Sequence, residues 1–139
     1  MNVQIRVNAP VSADAFIALL QASTLAERRP VHDRACIEGM LRHADLTVSA
    51  WLGERLVGIA RSVTDYHYAC YLSDLAVDRE VQRQGIGRAL IEATREQLGP
   101  QAKLILLAAP AADAYYERIG MTRNPRAWML SREQPLAED

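Results

Sequence analysis

Val3, Ile5 and Val7 alternate with Gln4, Arg6 and Asn8, the two-residue period of a half-buried strand, and Pro10 ends it. From Ser12 the period changes. Phe16, Leu19 and Leu20 fall on one side of a helix that Ser12 caps. Arg28, Arg29 and Pro30 interrupt the pattern before a second helical segment, about Asp33 to His43, with Cys36, Ile37, Met40 and Leu41 on its apolar stripe. Three strand-like runs follow: Leu46 to Leu52, Leu56 to Val63, and about Tyr68 to Val77. Gly53, Glu54 and Arg55 suit a hairpin turn between the first two, and the third continues an antiparallel meander.

A charged loop, Asp78 to Gln84, leads to a helix over Gly85 to Leu98 with Ile86, Leu90, Ile91, Thr94 and Leu98 on one stripe, and Gly99 and Pro100 stop it. Leu104 to Ala109 is an unbroken apolar run, the pattern of a strand covered on both faces and, with a helix before it, of a parallel crossover. Pro110 and Gly120 bracket a helix carrying Tyr115 and Tyr116, a last short strand is expected near Trp128 to Leu130, and residues 133–139 read as a frayed tail. The expected fold is a single α/β domain over residues 1–139. Its sheet is mixed and largely antiparallel, flanked by about four helices in the order β-α-α-β-β-β-α-β-α-β.

Composition narrows the function classes. Of 139 residues half are hydrophobic and 24% charged, which excludes a disordered or fibrous chain. Sixteen basic residues against seventeen acidic ones give a net charge of −1, so total charge favours neither nucleic acid nor an anionic membrane as a partner, and any anion site is local. Cys36 and Cys70 lack metal or redox spacing and read as two buried thiols in a reducing compartment. With no signal-like N-terminus and no long apolar run, a cytoplasmic protein is expected. His32, His43 and His67 have no ligand-like spacing, so no metal is expected.

The segment Gln82-Arg83-Gln84-Gly85-Ile86-Gly87-Arg88 carries the chemistry. Glycines at a loop-to-helix junction let a ligand approach the backbone, and the first helical turn offers N–H groups without intrahelical partners at its positive end. Together these make a phosphate site, with Arg83 and Arg88 beside it. A dinucleotide fingerprint is excluded because its third glycine would fall at Leu90, and a P-loop because no Gly-Lys-Ser/Thr exists.

Leu75-Ala76-Val77 followed by Gln82-Arg83-Gln84-Gly85-Ile86-Gly87, together with Tyr115-Tyr116-Glu117-Arg118-Ile119-Gly120-Met121, resembles the GNAT superfamily of acyl-CoA-dependent N-acyltransferases. The stretch Leu56 to Asp65 is also similar to a branch that includes plant chloroplast acetyltransferases acting on arylalkylamines and protein lysines. The chain departs from the family pattern at Ala111, where many members have Asn, and at Met121, where Phe is usual. The resemblance implies that acetyl-CoA is the co-substrate and an amine the acceptor. It implies a V-shaped opening between the strands ending at Val77 and Ala109, where the backbone of Leu75, Ala76 and Val77 pairs with the pantetheine arm. It further implies that Tyr116 faces the sulfur, that the acceptor site is built around Arg28 and Arg29, and that a homodimer is possible.

Direct transfer needs a neutral amine, a donor for the developing oxyanion and a proton source for the thiolate. Tyr116, a phenol that stays protonated at neutral pH, fits the last role; Tyr115, pointing about 100° away on the same helix, is expected to pack. Asp74, preceding Leu75, is the first candidate for the base, acting through a water. Strand alternation puts Tyr71 and Ser73, weaker candidates with His67, on the opposite face. Asp33 and Asp65 are further acceptor-site candidates, suited to a cationic amine, and Tyr71 joins them. The competing reading is a non-catalytic acyl-CoA-binding or sensing module.

Overall fold

The computed structural model describes residues 2–138. Its elements run β1 (Gln4–Val7), α1 (Ala13–Ser23), α2 (Arg34–Arg42), β2 (Leu46–Leu52), β3 (Arg55–Thr64), β4 (Ala69–Val77), α3 (Ile86–Glu96), β5 (Lys103–Ile105) and α4 (Asp113–Arg118), with short 3₁₀ turns at Leu25–Arg28, Arg79–Val81 and Pro110–Ala112. The five strands form one sheet in sequence order, antiparallel from β1 through β4, with β5 parallel to β4. No helix among the described residues is long and apolar enough to cross a membrane.

Local chemistry explains the punctuation. Ser12 Oγ accepts from the Ala15 N–H and Asp33 Oδ1 from the Cys36 N–H, satisfying orphan donors at the starts of α1 and α2. The sheet separates two apolar layers. On one face Phe16, Leu19, Leu20 and Ile37 from α1 and α2 pack on Trp51, Leu56, Ile59 and Ala76. On the other, Ile86, Leu90 and Ile91 of α3 pack on Val48, Ala50, Val57, Ala60 and Leu72. Fully burying an aliphatic side chain of this kind contributes about 1.5–3 kcal/mol, so the sheet is held from both sides at its centre.

Four expectations change at the periphery. All four residues of β1 are exposed, because it is the sheet's edge and α1 covers the strands inward of it. Cys36 is exposed and only Cys70 is buried, since Ile37 alone fills the buried stripe of α2. The run Leu104 to Ala109 yields only a three-residue strand, with Ile105 46% and Leu107 50% exposed, so its apolar content does not reflect two covering layers. The strand expected near Trp128 to Leu130 is absent: Trp128 is 96% exposed and the segment makes no ladder.

Candidate active site

Strands β4 and β5 pair only at Ala69↔Lys103, Cys70↔Leu104 and Tyr71↔Ile105. Beyond Tyr71 the partners diverge. From Leu72 to Val77, β4 keeps its ladder to β3 except at Ser73 and has none on its other side, which leaves backbone N–H and C=O groups able to pair with an extended ligand, the Ser73 and Val77 carbonyls already accepting side-chain bonds. Leu75 and Val77 turn toward α3, and Ala76 toward α1.

The β3–β4 ladder slips between Arg61↔Asp74 and Ser62↔Leu72, so Ser73 is an extra residue, a β-bulge. The bulge reverses the expected alternation. Ser73 lies with Asp74 rather than opposite it, because both contact the Arg61 guanidinium: Nε donates to Asp74 Oδ2 and Nη2 to Ser73 Oγ at 3.0 Å. Leu72 packs toward α3, so Tyr71, one residue before it, shares the Asp74 face. Tyr71 is partly exposed at the point where the strands part.

Asp74 has no exposed surface and is held by two guanidiniums. Arg29, from the segment joining α1 and α2, donates through Nε to Asp74 Oδ1 at 2.5 Å, and through Nη2 to the Ser73 carbonyl at 2.7 Å. Arg61 also reaches the Met40 carbonyl of α2. Buried charges persist when paired and hydrogen-bonded, and this network ties the α1–α2 segment to the bulge. Arg61 was not anticipated from the sequence. The available signal was a lone charge inside the apolar run of β3, which requires a buried counter-charge, and Asp74 is the only acid in β4.

At the far end of the unpaired edge, the loop and α3 form a cradle. Gly85 adopts φ +81° as the residue before α3, with no side-chain cap, and a Cβ there would meet open space. The first helical bond is from the Ala89 N–H to the Gly85 carbonyl, so the Ile86, Gly87 and Arg88 N–H groups have no intrahelical acceptor. Gln84 and Arg83 are exposed in the same loop, Arg83 at φ +65°. Gln82 Nε2 donates to the Val77 carbonyl at 2.9 Å and closes the loop onto the end of β4. Arg88 pairs with Glu92 along the exposed face of α3. The loop is braced from behind by Arg55, which bonds Asp78 and Glu80.

Helix α4 brings both tyrosines toward this edge, their rings edge-on with centroids 5.3 Å apart. Tyr115 sets its hydroxyl against Gly87. Tyr116 is half-buried against the α3-side core, and burial pushes its phenol above the ordinary range, Tyr115 adding to the effect while the nearby Arg29 charge opposes it. Neither hydroxyl has a hydrogen-bond partner among the described residues, so both retain a free donor.

Two acidic candidates are engaged by backbone N–H groups. Asp65 Oδ1 accepts from the His67, Tyr68 and Ala69 N–H groups, building the β3–β4 turn. It stands at the closed end of the strand pair, five residues of β4 from Asp74, or about 17 Å. These bonds, led by the one from Tyr68, bring its carboxyl down to about 2. Asp33 commits Oδ1 to the α2 cap. Arg28 remains exposed beside the opening, its carbonyl accepting from Arg29 Nη1. No group of three or more metal-ligating side chains occurs among the described residues.

Residues 19–126 match the family model described as the acetyltransferase (GNAT) domain. The chain belongs to the GNAT superfamily. A curated relative, the chloroplastic GCN5-related N-acetyltransferase 2 of Arabidopsis thaliana, is 30% identical over 74 residues, 52% of this chain and 29% of the relative, so the chain spans under a third of that protein's length. Among solved structures, a probable acetyltransferase of unknown function from meticillin-resistant Staphylococcus aureus superposes with a TM-score of 0.77 at 21% identity, over 94% of this chain and 99% of the other. An aminoglycoside N-acetyltransferase solved in complex with CoA superposes at 0.69 and 16% identity, over 95% of both chains. At such identities the likeness is one of fold, and membership in this family supports acyl transfer from an acyl-CoA.

Proposed function

We propose that this protein transfers an acetyl group from acetyl-CoA directly to a primary amine. The observation that carries the reading is the edge of β4 from Leu72 to Val77, paired on one side only and leading into the first turn of α3. An extended amide-bearing arm fits that edge by ladder bonds, and a diphosphate fits the Ile86, Gly87 and Arg88 N–H groups, where Gly85 leaves open space. Bound acyl-CoA supplies an activated acyl group. Arg83 and Arg88 add positive charge near its phosphates.

The chain's own residues then do three things. Gln82 holds the loop closed on Val77. Tyr116, kept protonated by burial, gives its phenolic proton to the departing thiolate. Asp74, engaged by Arg29 and Arg61, fixes the α1–α2 segment over the opening, a role we assign to it in place of the base. The acceptor amine enters through its neutral fraction, so no side-chain base is assigned. We place the activity in the cytoplasm.

Free-thiol release from acetyl-CoA with a panel of primary amines tests this reading. Release that depends on both amine and enzyme is expected. CoA binding without release for any amine supports the alternative of a non-catalytic acyl-CoA-binding module.

A further inference from the structure

We propose that the acceptor is a small amino acid, an amine carrying a carboxylate nearby, and that Arg29 receives that carboxylate. The inference rests on the amine-acetyltransferase reading above and narrows its substrate.

The charge at the opening has the wrong sign for a purely cationic acceptor. Asp65 lies at the closed end of the strands within its own turn, and the charge of Asp33 is offset by the positive N-terminus of α2, which it caps. Asp74 is the one carboxylate paired at the bulge among the described residues, and two guanidiniums share it, leaving one positive charge in excess. A net positive charge on a partly buried cluster favours an anionic ligand.

Exposure locates that excess on Arg29, since Arg29 and Arg61 each spend three donors. A guanidinium has five N–H donors. Arg29 uses one on Asp74, one on the Ser73 carbonyl and one on the Arg28 carbonyl, so one hydrogen on each terminal nitrogen is free. Its side chain is 21% exposed, whereas that of Arg61 is 7% exposed with its terminal nitrogens on Met40 and Ser73. Two free donors on a planar fork match a carboxylate, and three existing bonds hold the fork in place before the ligand arrives. The position suits the reaction as well: Arg29 grips the bulge on the unpaired edge, and its charge is felt at Tyr116. A carboxylate on Arg29 therefore brings an amine one or two carbons away toward the same edge.

The test compares matched acceptors on the wild-type protein with acetyl-CoA: amino acids, their carboxamides and the amines lacking the carboxylate. The amino acid is expected to exceed both counterparts in kcat/KM by roughly tenfold or more, the strength of a charge-assisted hydrogen bond. Arg29→Lys, which keeps the charge opposite Asp74, should cut that ratio at least about threefold by losing the fork. Equal or better turnover of the carboxylate-free amine overturns the proposal, as does faster turnover of a dicarboxylic acyl-CoA than of acetyl-CoA, which puts the carboxylate on the donor. Should no amine release thiol, the transferase reading fails, and binding still decides this one. With CoA present, an amino acid alone should then raise Tm, and a shift as large from its amine, or none from any amino acid, overturns it.

Discussion

The Tyr115 hydroxyl occupies the space that a side chain at Gly87 would need: a Cβ built on Gly87 lies 2.9 Å from it, and 3.9 Å from the Val77 side chain. Gly87 is thus glycine for close approach, while Gly85, at φ +81° with open space around it, is glycine for its backbone. Tyr115, expected to pack, does so against the start of α3.

This contact makes a prediction with an internal control. Gly87→Ala drives Tyr115 away from the first turn of α3 and should weaken CoA binding, measured by calorimetry, by roughly tenfold if the contact shapes the cradle. Tyr115→Phe in the same chain removes the colliding oxygen and should recover most of that loss. No difference between the single and double variants would show that the collision is harmless.

Tyr116→Phe keeps the ring and removes the donor, so kcat should fall by roughly 10²-fold with CoA affinity little changed. Because burial raises the phenol of Tyr116 above its ordinary value, parent activity should show no loss from tyrosine ionisation up to about pH 10. A wild-type kcat in the Phe variant would remove Tyr116 from proton transfer.

Asp74→Asn leaves two guanidiniums facing a neutral amide in a buried site. Stability by urea denaturation should drop by about 3–5 kcal/mol, the cost of breaking a buried ion pair. Activity lost with the α1–α2 segment should not return at high pH. A folded variant whose kcat/KM recovers on raising the pH would restore Asp74 as a base acting through water.

The sequence made the central meander, the loop before α3 and the paired tyrosines legible, because each rests on local signals: alternation, glycine spacing and helical stripes. The bulge at Ser73 was not legible, since one extra residue in β4 leaves the hydrophobic pattern almost unchanged while reversing which side chains share a face. The Arg29–Asp74–Arg61 network was hidden for a related reason. It joins residues far apart in sequence, and Asp74 reads alone as a free carboxylate until its partners arrive. At the C-terminal side, Leu104 to Ala109 and Trp128 to Leu130 read as strands from apolar content, which records no pairing partner.

Asp65 gives a pH signature apart from catalysis. Its folded carboxyl titrates near 2, below the ordinary 3.8, so its contribution is fully present above about pH 4 and is lost as pH falls toward 2. Urea midpoints measured from pH 5 to pH 2 should decline less steeply for Asp65→Asn than for the parent. Parallel declines would mean that the turn bonds do not favour the ionised form.

The most direct test of the acyl-CoA seat is a CoA titration followed by amide chemical shifts in a ¹⁵N-labelled protein. Shifts are expected to concentrate at Leu75, Ala76 and Val77 and at Arg83 to Arg88, with β1 and the Asp65 turn unmoved. Saturable binding that leaves those amides in place and shifts another part of the surface would contradict the account.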